Sequence, residues 1–504
     1  MKYRPVVGLP IVVRPKAEVP RSRQFATIVG IGGRFKLGVH NHSLTNVLRG
    51  LTERVYCVEE RGNLVPAPAP EPGVFNSMDR FAEQVVGRVG RSGPWTYEQF
   101  VASCRGPKRT LYAQAVETLM SHPLRRKDAE LATFVKAEKL DFASKPDPAP
   151  RLIQPRSPRY NAWVGRYLKS IEHRIYDAID EVWGMPTVMS GYNALDVARN
   201  MRMHWDQWGD TVAVGLDASR FDQHVSVPAL RWEHGVYNSI FRDERLAAVL
   251  EWQIANRGKA VTPEGVVTYT VEGKRMSGDM NTSLGNKLIM CGLVWTYVRQ
   301  KGLKVSLVNN GDDCVCFMRR TTLRSFSEGL AEWFLRYGFT MKVESPADEF
   351  EKIEFCQQRP VYDGERWIMT RSPYKGLSKD LTMIGINPSD PVKDYRRWAA
   401  GVGVAGLRAY GGIPVVQEAY CRLAAMGGAK AVDLDPYSGL GVAAKGMQRS
   451  YVEPTAMARA SYDAAWGVEP AMQVLVEAQI RGAKVDLSRP YSIELVDHLS
   501  VTGL

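Results

Sequence analysis

Three short stretches hold side chains whose types and spacing suit chemistry. The first is Asp217-Ala218-Ser219-Arg220-Phe221-Asp222, with two carboxylates five residues apart. The second is Ser277-Gly278-Asp279-Met280-Asn281-Thr282-Ser283-Leu284-Gly285-Asn286, a run of hydroxyls and amides around glycine. The third is Asn310-Gly311-Asp312-Asp313, in which two carboxylates are adjacent. Adjacent carboxylates are costly unless a cation neutralises them. Oxygen sites of this kind suit Mg2+, which takes one or two carboxylates and keeps other positions for water and phosphates. Asp217, Asp312 and Asp313 are therefore candidate metal ligands. Each stretch also has an ordinary reading. Turns are rich in Gly and Asp, Asp at a strand end is a common cap, and a Ser/Thr/Asn-rich helix start can be capping alone.

These residues need elements to position them. Thr211–Leu216 reads as a short apolar strand that delivers Asp217 at its end. Val305–Val308 and Val315–Met318 flank the turn formers and predict a hairpin with Asp312 and Asp313 at its tip. An apolar helix from about Thr282 to Val298 puts Thr282 and Asn286, four apart, on one face. Residues 111–142, 162–182 and 228–257 also read as helical, and from about 372 the chain looks helical again. Val65 to Pro72 alternates proline and reads as an extended spacer. Prolines 146, 148, 150, 155 and 158 forbid a helix between Lys145 and Pro158.

The chain has 504 residues, 45% hydrophobic and 24% charged, which excludes wholesale disorder, collagen and coiled coil. It has seven cysteines, no C-x-x-C pair and no P-loop signature; a reducing compartment is the default. The best candidate membrane span, Ala399 to Val416, is broken by Arg408 and Pro414, so no intrinsic transmembrane segment is expected. The net charge of +12 is concentrated. Residues 2–36 hold eight Lys/Arg against one acid, and residues 105–159 hold twelve against six. Two basic windows of this kind favour an anionic partner such as nucleic acid.

Taken in order, D-x4-D, S-G-x3-T-x3-N and G-D-D resemble motifs A, B and C of viral RNA-directed RNA polymerases. Tyr337 to Lys342 resembles motif D, and Phe355-Cys356-Gln357 with Ser378-Lys379-Asp380 resembles motif E and its sequel. Phe134 to Lys139 and Pro150 to Arg156 resemble motif F. Gly38 to Leu44 and Arg49 to Arg54 look like the N-terminal portion of the enzymes of Tombusviridae and related positive-strand RNA viruses. The resemblance runs from about residue 25 to about 385.

It implies an α+β fold, a closed right hand of fingers, palm and thumb with an antiparallel palm sheet flanked by helices. The expected division is 1–72 for a basic N-terminal segment and fingertips, and 73–205 for fingers. The palm would take 206–371, with a fingers insertion at about 228–272, and the thumb 372–504. The implied activity is two-metal nucleotidyl transfer from NTPs, with Mg2+, or Mn2+ as a substitute, held by Asp217, Asp312 and Asp313. Asp313 would support the metals or orient the primer end. Asp222, Thr282 and Asn286 would read the ribose 2′-hydroxyl, and Ser277 and Gly278 would form the loop that accommodates template and nucleotide. Lys136, Lys139, Arg151 and Arg156 would meet the triphosphate. Lys342 is either a general acid toward pyrophosphate or an exposed strand lysine. Cys356, Gln357 and Lys379 would contact the priming or product strand.

The implied partners are template and product RNA, NTPs, a viral auxiliary replication protein and host factors. The implied location is the host cytoplasm, at membrane-associated complexes tethered by a partner or an upstream segment. The rival readings are a reverse transcriptase or DNA polymerase, and a non-catalytic basic RNA-binding scaffold. Aromatic residues beyond 390, such as Tyr395, Trp398, Tyr410, Tyr437 and Trp466, could stack on bases, although core packing is their commoner role.

Overall fold

The structure, a computed structural model, describes residues 8–19, 21–27, 37–385, 389–426, 434 and 438–483. Tyr437 lies outside them. The chain forms a mixed α+β architecture around two sheets. The smaller has four antiparallel strands in the order Ser306–Asn310, Asp313–Arg319, Thr211–Ala218, Met341–Val343. Its hairpin is the predicted one, with Asn310 paired to Asp313 across Gly311 and Asp312. The larger has five strands in the order Ile11–Pro15, Gly265–Glu272, Ala255–Thr262, Leu131–Val135, Leu152–Ile153.

The four-stranded sheet packs on long helices. Pro158–Trp183 starts with Ser157 as its cap, the Oγ accepting from the Tyr160 nitrogen, and with Pro158 in the first turn. The Thr282–Gln300 helix is buried at every position from Leu284 to Val298. A helix apolar on all sides belongs inside a core, and this one runs through the largest hydrophobic cluster, with Leu288, Ile289, Leu293 and Val294 fully enclosed.

Two helical expectations need correction. Residues 111–142 are not one helix. The helix is Pro107–Ser121, Pro123 follows it, and Leu131–Val135 is a strand with alternating burial. A period of two there outweighs the helical residues upstream. Residues 228–257 form two helices, Val227–Phe241 and Glu244–Glu251. Arg242 breaks them with φ +51°, and the strand Ala255–Thr262 begins before 257.

Beyond the hairpin Gln358–Tyr362/Trp367–Arg371, the described part of the C-terminal third is mainly helical, with one short strand, Thr382–Ile384. Pro391–Tyr410 packs tightly on Val416–Met426 because glycine lines the contact. A Cβ at Gly403 would lie 2.2 Å from the Ala424 nitrogen, and one at Gly406 2.2 Å from the Tyr420 ring. This glycine-rich stretch is thus a packing surface, and no helix among the described residues is long and apolar enough to cross a membrane. Tyr395 and Tyr410 are fully buried here, as core residues.

The first and last thirds meet. Thr382–Ile384 pairs antiparallel with Phe25–Thr27. Tyr374 donates to Asp141 Oδ2 at 2.6 Å, and Lys139 Nζ donates to the Lys379 carbonyl at 2.5 Å while lying 5.4 Å from the Trp398 ring centre.

Candidate active site

Strand register assembles the carboxylates. Asp217 stands directly opposite Asp313, and Asp312 occupies the turn next to it. Residues directly opposite in an antiparallel pair project to the same face. Asn309 moulds the turn. Its Oδ1 accepts from the Gly311 nitrogen at 3.0 Å and its Nδ2 donates to the Gly311 carbonyl at 2.7 Å. Gly311 has φ +90°, which favours glycine. Solvent reaches all three carboxylates, yet the Asp313 carboxyl is pushed up to about 6, by desolvation and then by the charge of Asp312. Glu344 lies close to Asp217 and is also raised, first by burial. No three His, Cys, Asp or Glu side chains among the described residues form a ready-made metal cage. The donor set still fits Mg2+, which needs only one or two carboxylates when phosphates complete its shell. Lys342 stands opposite Asp217 on the other side and is exposed.

The second cluster lies beside the first. Asn286 Nδ2 donates to Asp222 Oδ1 at 2.8 Å, and burial raises the Asp222 carboxyl. Thr282 shares the helix face of Asn286, but its hydroxyl is turned to the preceding loop, donating to the Met276 and Asp279 carbonyls at 2.9 and 3.0 Å. That loop touches the Arg151–Arg156 segment. The Gln154 nitrogen donates to the Ser277 carbonyl at 2.7 Å. Gly278 has φ +129°, and a Cβ there would lie 2.9 Å from Pro155 Cα.

The four cations expected at phosphate divide. Arg151 and Lys136 are solvent-accessible and share Glu138, at 3.3 and 3.5 Å, and the charge of Arg151 is felt at Asp222. Arg156 is not available. Its side chain is 0% exposed and bound to Asp279 at 2.6 Å, to Asn256 at 2.7 Å and to the Ala129 carbonyl at 2.7 Å. It braces the Ser277–Asn281 loop, a correction to the expectation of a phosphate contact. Lys139 is likewise turned to Lys379 and Trp398, and burial lowers its ammonium to about 8.

Cys356 and Gln357 form a tight turn with φ +51° and +61°. Asn310 Nδ2 lies 3.5 Å from Cys356 Sγ, so this turn abuts the carboxylate hairpin. Both line a cavity of about 380 Å³ that Arg371, Lys375 and Lys379 make basic.

The sequence reading missed several residues. Arg220 sits between the two aspartates of the first stretch with φ +48° and donates to the Glu53 carbonyl. Arg54 Nε is buried without a hydrogen-bond partner, and burial, then Arg220 and Arg151, lowers its guanidinium to about 10. The spacing of Asp217 and Asp222 marks the carboxylates and carries no signal for the arginine between them. Glu233 and Arg275 form a buried ion pair behind Asn286, and nothing in their local sequence marked them.

The family described as Viral RNA dependent RNA polymerase matches residues 11–488. The chain belongs to this family. Its relatives include the RNA-directed RNA polymerase of tobacco necrosis virus (strain A), 42% identical over 95% of this chain and 66% of that protein. The RNA-directed RNA polymerase of carnation mottle virus is 40% identical over 98% of this chain and 65% of its own length. That of turnip crinkle virus is 46% identical over 82% and 52%. The chain thus spans about half to two-thirds of the length of these polymerases. The resemblance carried by the three stretches is borne out at the level of family.

Proposed function

We propose that this chain carries the catalytic activity of an RNA-directed RNA polymerase that copies a viral positive-strand genome. The observation that carries the reading is Asp217 opposite Asp313, with Asp312 at the adjoining turn and the Asp222–Asn286 pair beside them. In the reaction the 3′-hydroxyl oxygen of the growing strand bonds to the NTP α-phosphorus and loses its proton. The bond to the pyrophosphate oxygen breaks. Bound Mg2+, or Mn2+ in its place, supplies activation of the hydroxyl and offsets charge on the leaving group. Asp217 and Asp312 would hold the ions, and Asp313 would support them or orient the strand end. The raised Asp313 carboxyl suits a site that a cation completes.

Asp222 and Asn286 meet the ribose 2′-hydroxyl, which both donates and accepts. Thr282 holds the Ser277–Gly278 loop that frames the nucleotide. Arg151 and Lys136 bind the triphosphate, and Arg54 and Arg220 add guanidinium charge near Arg151. Lys342, paired opposite Asp217, would protonate pyrophosphate. Cys356, Gln357 and Lys379 line the basic cavity for the growing strand.

In this reading 206–371 is the palm, and the five-stranded sheet with the 228–272 insertion belongs to the fingers. Residues 372–504 are the thumb, and the contacts between first and last thirds close the hand. Template and product RNA and NTPs are the direct partners. A viral auxiliary protein and host factors assemble it on membranes in the host cytoplasm.

A primed and unprimed assay on homopolymer RNA with Mg2+ tests the proposal. RNA-templated NTP incorporation is expected, and it should collapse in Asp312→Ala while RNA binding survives. A preference for dNTPs would instead favour a reverse transcriptase, and RNA binding without synthesis a scaffold.

A further inference from the structure

The Asp222–Asn286 contact depends on which way the Asn286 amide faces. An amide turned end for end keeps its shape but exchanges donors for acceptor. Here Asn286 Oδ1 accepts from Arg275 Nε at 2.9 Å while Nδ2 donates to Asp222 Oδ1 at 2.8 Å. A guanidinium offers only donors and an ionised carboxylate only acceptors. This orientation is therefore the one in which both contacts form.

Arg275 is itself fixed. It pairs with Glu233 through both terminal nitrogens, and both side chains are 0% exposed. Glu233 Oε1 also accepts from the Tyr237 hydroxyl at 2.8 Å and from Asn281 Nδ2 at 2.7 Å. The Arg275 nitrogen donates to the Asp222 carbonyl at 2.8 Å. One residue thus holds Asp222 by its main chain and, through Asn286, by its side chain. The helix is pared to admit the pair. A Cβ at Gly285 would lie 2.3 Å from Glu233 Oε1 and 2.4 Å from Arg275 Nη2. A buried ion pair is a poor source of stability, and apolar residues of similar volume often serve as well. Apolar residues would leave the amide oriented by Asp222 alone.

We infer that the Glu233–Arg275 pair is a positioning device for sugar selection. It locks Asn286 so that Asp222 and the amide meet a 2′-hydroxyl as acceptor and donor. This inference rests on the proposed role of Asp222 and Asn286 as the ribose contact.

The test uses the full chain on an RNA template with Mg2+ and measures kcat/KM for an NTP and its matching dNTP. Arg275→Lys keeps the charge but is too short and narrow to serve Glu233 and Asn286 together. It should lower the NTP:dNTP ratio about tenfold, with the loss falling on the NTP. Discrimination against mismatched bases should be unchanged. Adding Arg275→Lys to Asn286→Ala should lower the ratio no further than Asn286→Ala alone, because the two act in series. A ratio within about twofold of wild type, with NTP and dNTP use falling together, would mean a merely structural pair and overturn the inference. Should Arg275→Lys fail to fold, Glu233→Gln, which keeps shape and an acceptor, should shift the ratio in the same direction by about threefold. An unchanged ratio there overturns the inference equally. A wild-type chain that makes RNA but does not prefer NTPs contradicts the ribose-contact reading itself, a result distinct from failure of the variant alone.

Discussion

At the scale of single residues, the site is a set of like charges waiting for opposite ones. Asp217, Asp312 and Asp313 share one end of a sheet, while Arg151 and Lys136 share Glu138 and the charge of Arg151 is felt at Asp222. Arg151→Ala should raise the KM for NTPs about tenfold and leave template affinity nearly unchanged, since a charge-assisted phosphate contact is lost. Steady-state kinetics beside an RNA-binding titration checks it, and equal NTP kinetics in mutant and wild type would count against it. Arg156→Ala should behave differently. It strands Asp279 in the interior, so stability should fall by about 3 kcal/mol, seen as a lower Tm. The sequence distinguishes these two arginines poorly. Both are framed by the same prolines, and only the fold shows that one faces solvent while the other faces Asp279.

At the scale of elements, the hairpin and its carboxylates were legible because alternation and turn chemistry are local signals. That Asp217 would meet the hairpin followed only from the resemblance of the motifs in their order, and its register against Asp313 comes from the fold alone. The strand Leu131–Val135 was hidden by the helix-forming run before it, and the Thr282–Gln300 helix, buried from Leu284 to Val298, needed no amphipathic stripe. The helix Ala194–Asp206 is tied to the sheet by His204, whose Nε2 lies 2.8 Å from the Pro186 carbonyl and whose ring stacks on Phe317 at 5.4 Å. Burial lowers this imidazole to about 4. The unfolded histidine binds a proton below about 6.5 while the folded one stays neutral to about 4, so stability is lost as pH falls through that window. The loss approaches about 3 kcal/mol at the acid end. Denaturant unfolding at pH 7 and pH 5 should show it, and His204→Gln should lower the slope of stability with pH by the equivalent of up to about one proton. A Gly403→Val change should separate the two glycine-packed helices and lower Tm, costing about 1–3 kcal/mol; an unchanged Tm would contradict the close approach.

At the scale of the whole molecule, the formal +12 overstates the charge free to meet RNA. In the 105–159 window Arg156 is buried, Arg159 is paired with Asp128 at 3.1 Å, and Lys136 and Arg151 share an acid. Much of the 2–36 window lies outside the described residues. Template binding should still weaken steeply with salt, by log–log slope, but with fewer phosphates engaged than the two windows suggest. The link between first and last thirds makes a further demand. Tyr374→Phe with Lys139→Met should increase hydrogen exchange in 131–141 and 374–384 without changing the four-stranded sheet, because contacts that bridge the two segments are removed. The central claim is that carboxylates on two neighbouring strands make one polymerising site. The most direct measurement is RNA-templated NTP incorporation by wild type and Asp312→Ala at matched template occupancy. A fall of about a hundredfold or more is expected in Asp312→Ala with RNA affinity retained. Synthesis at the wild-type rate would remove Asp312 from the site and contradict it.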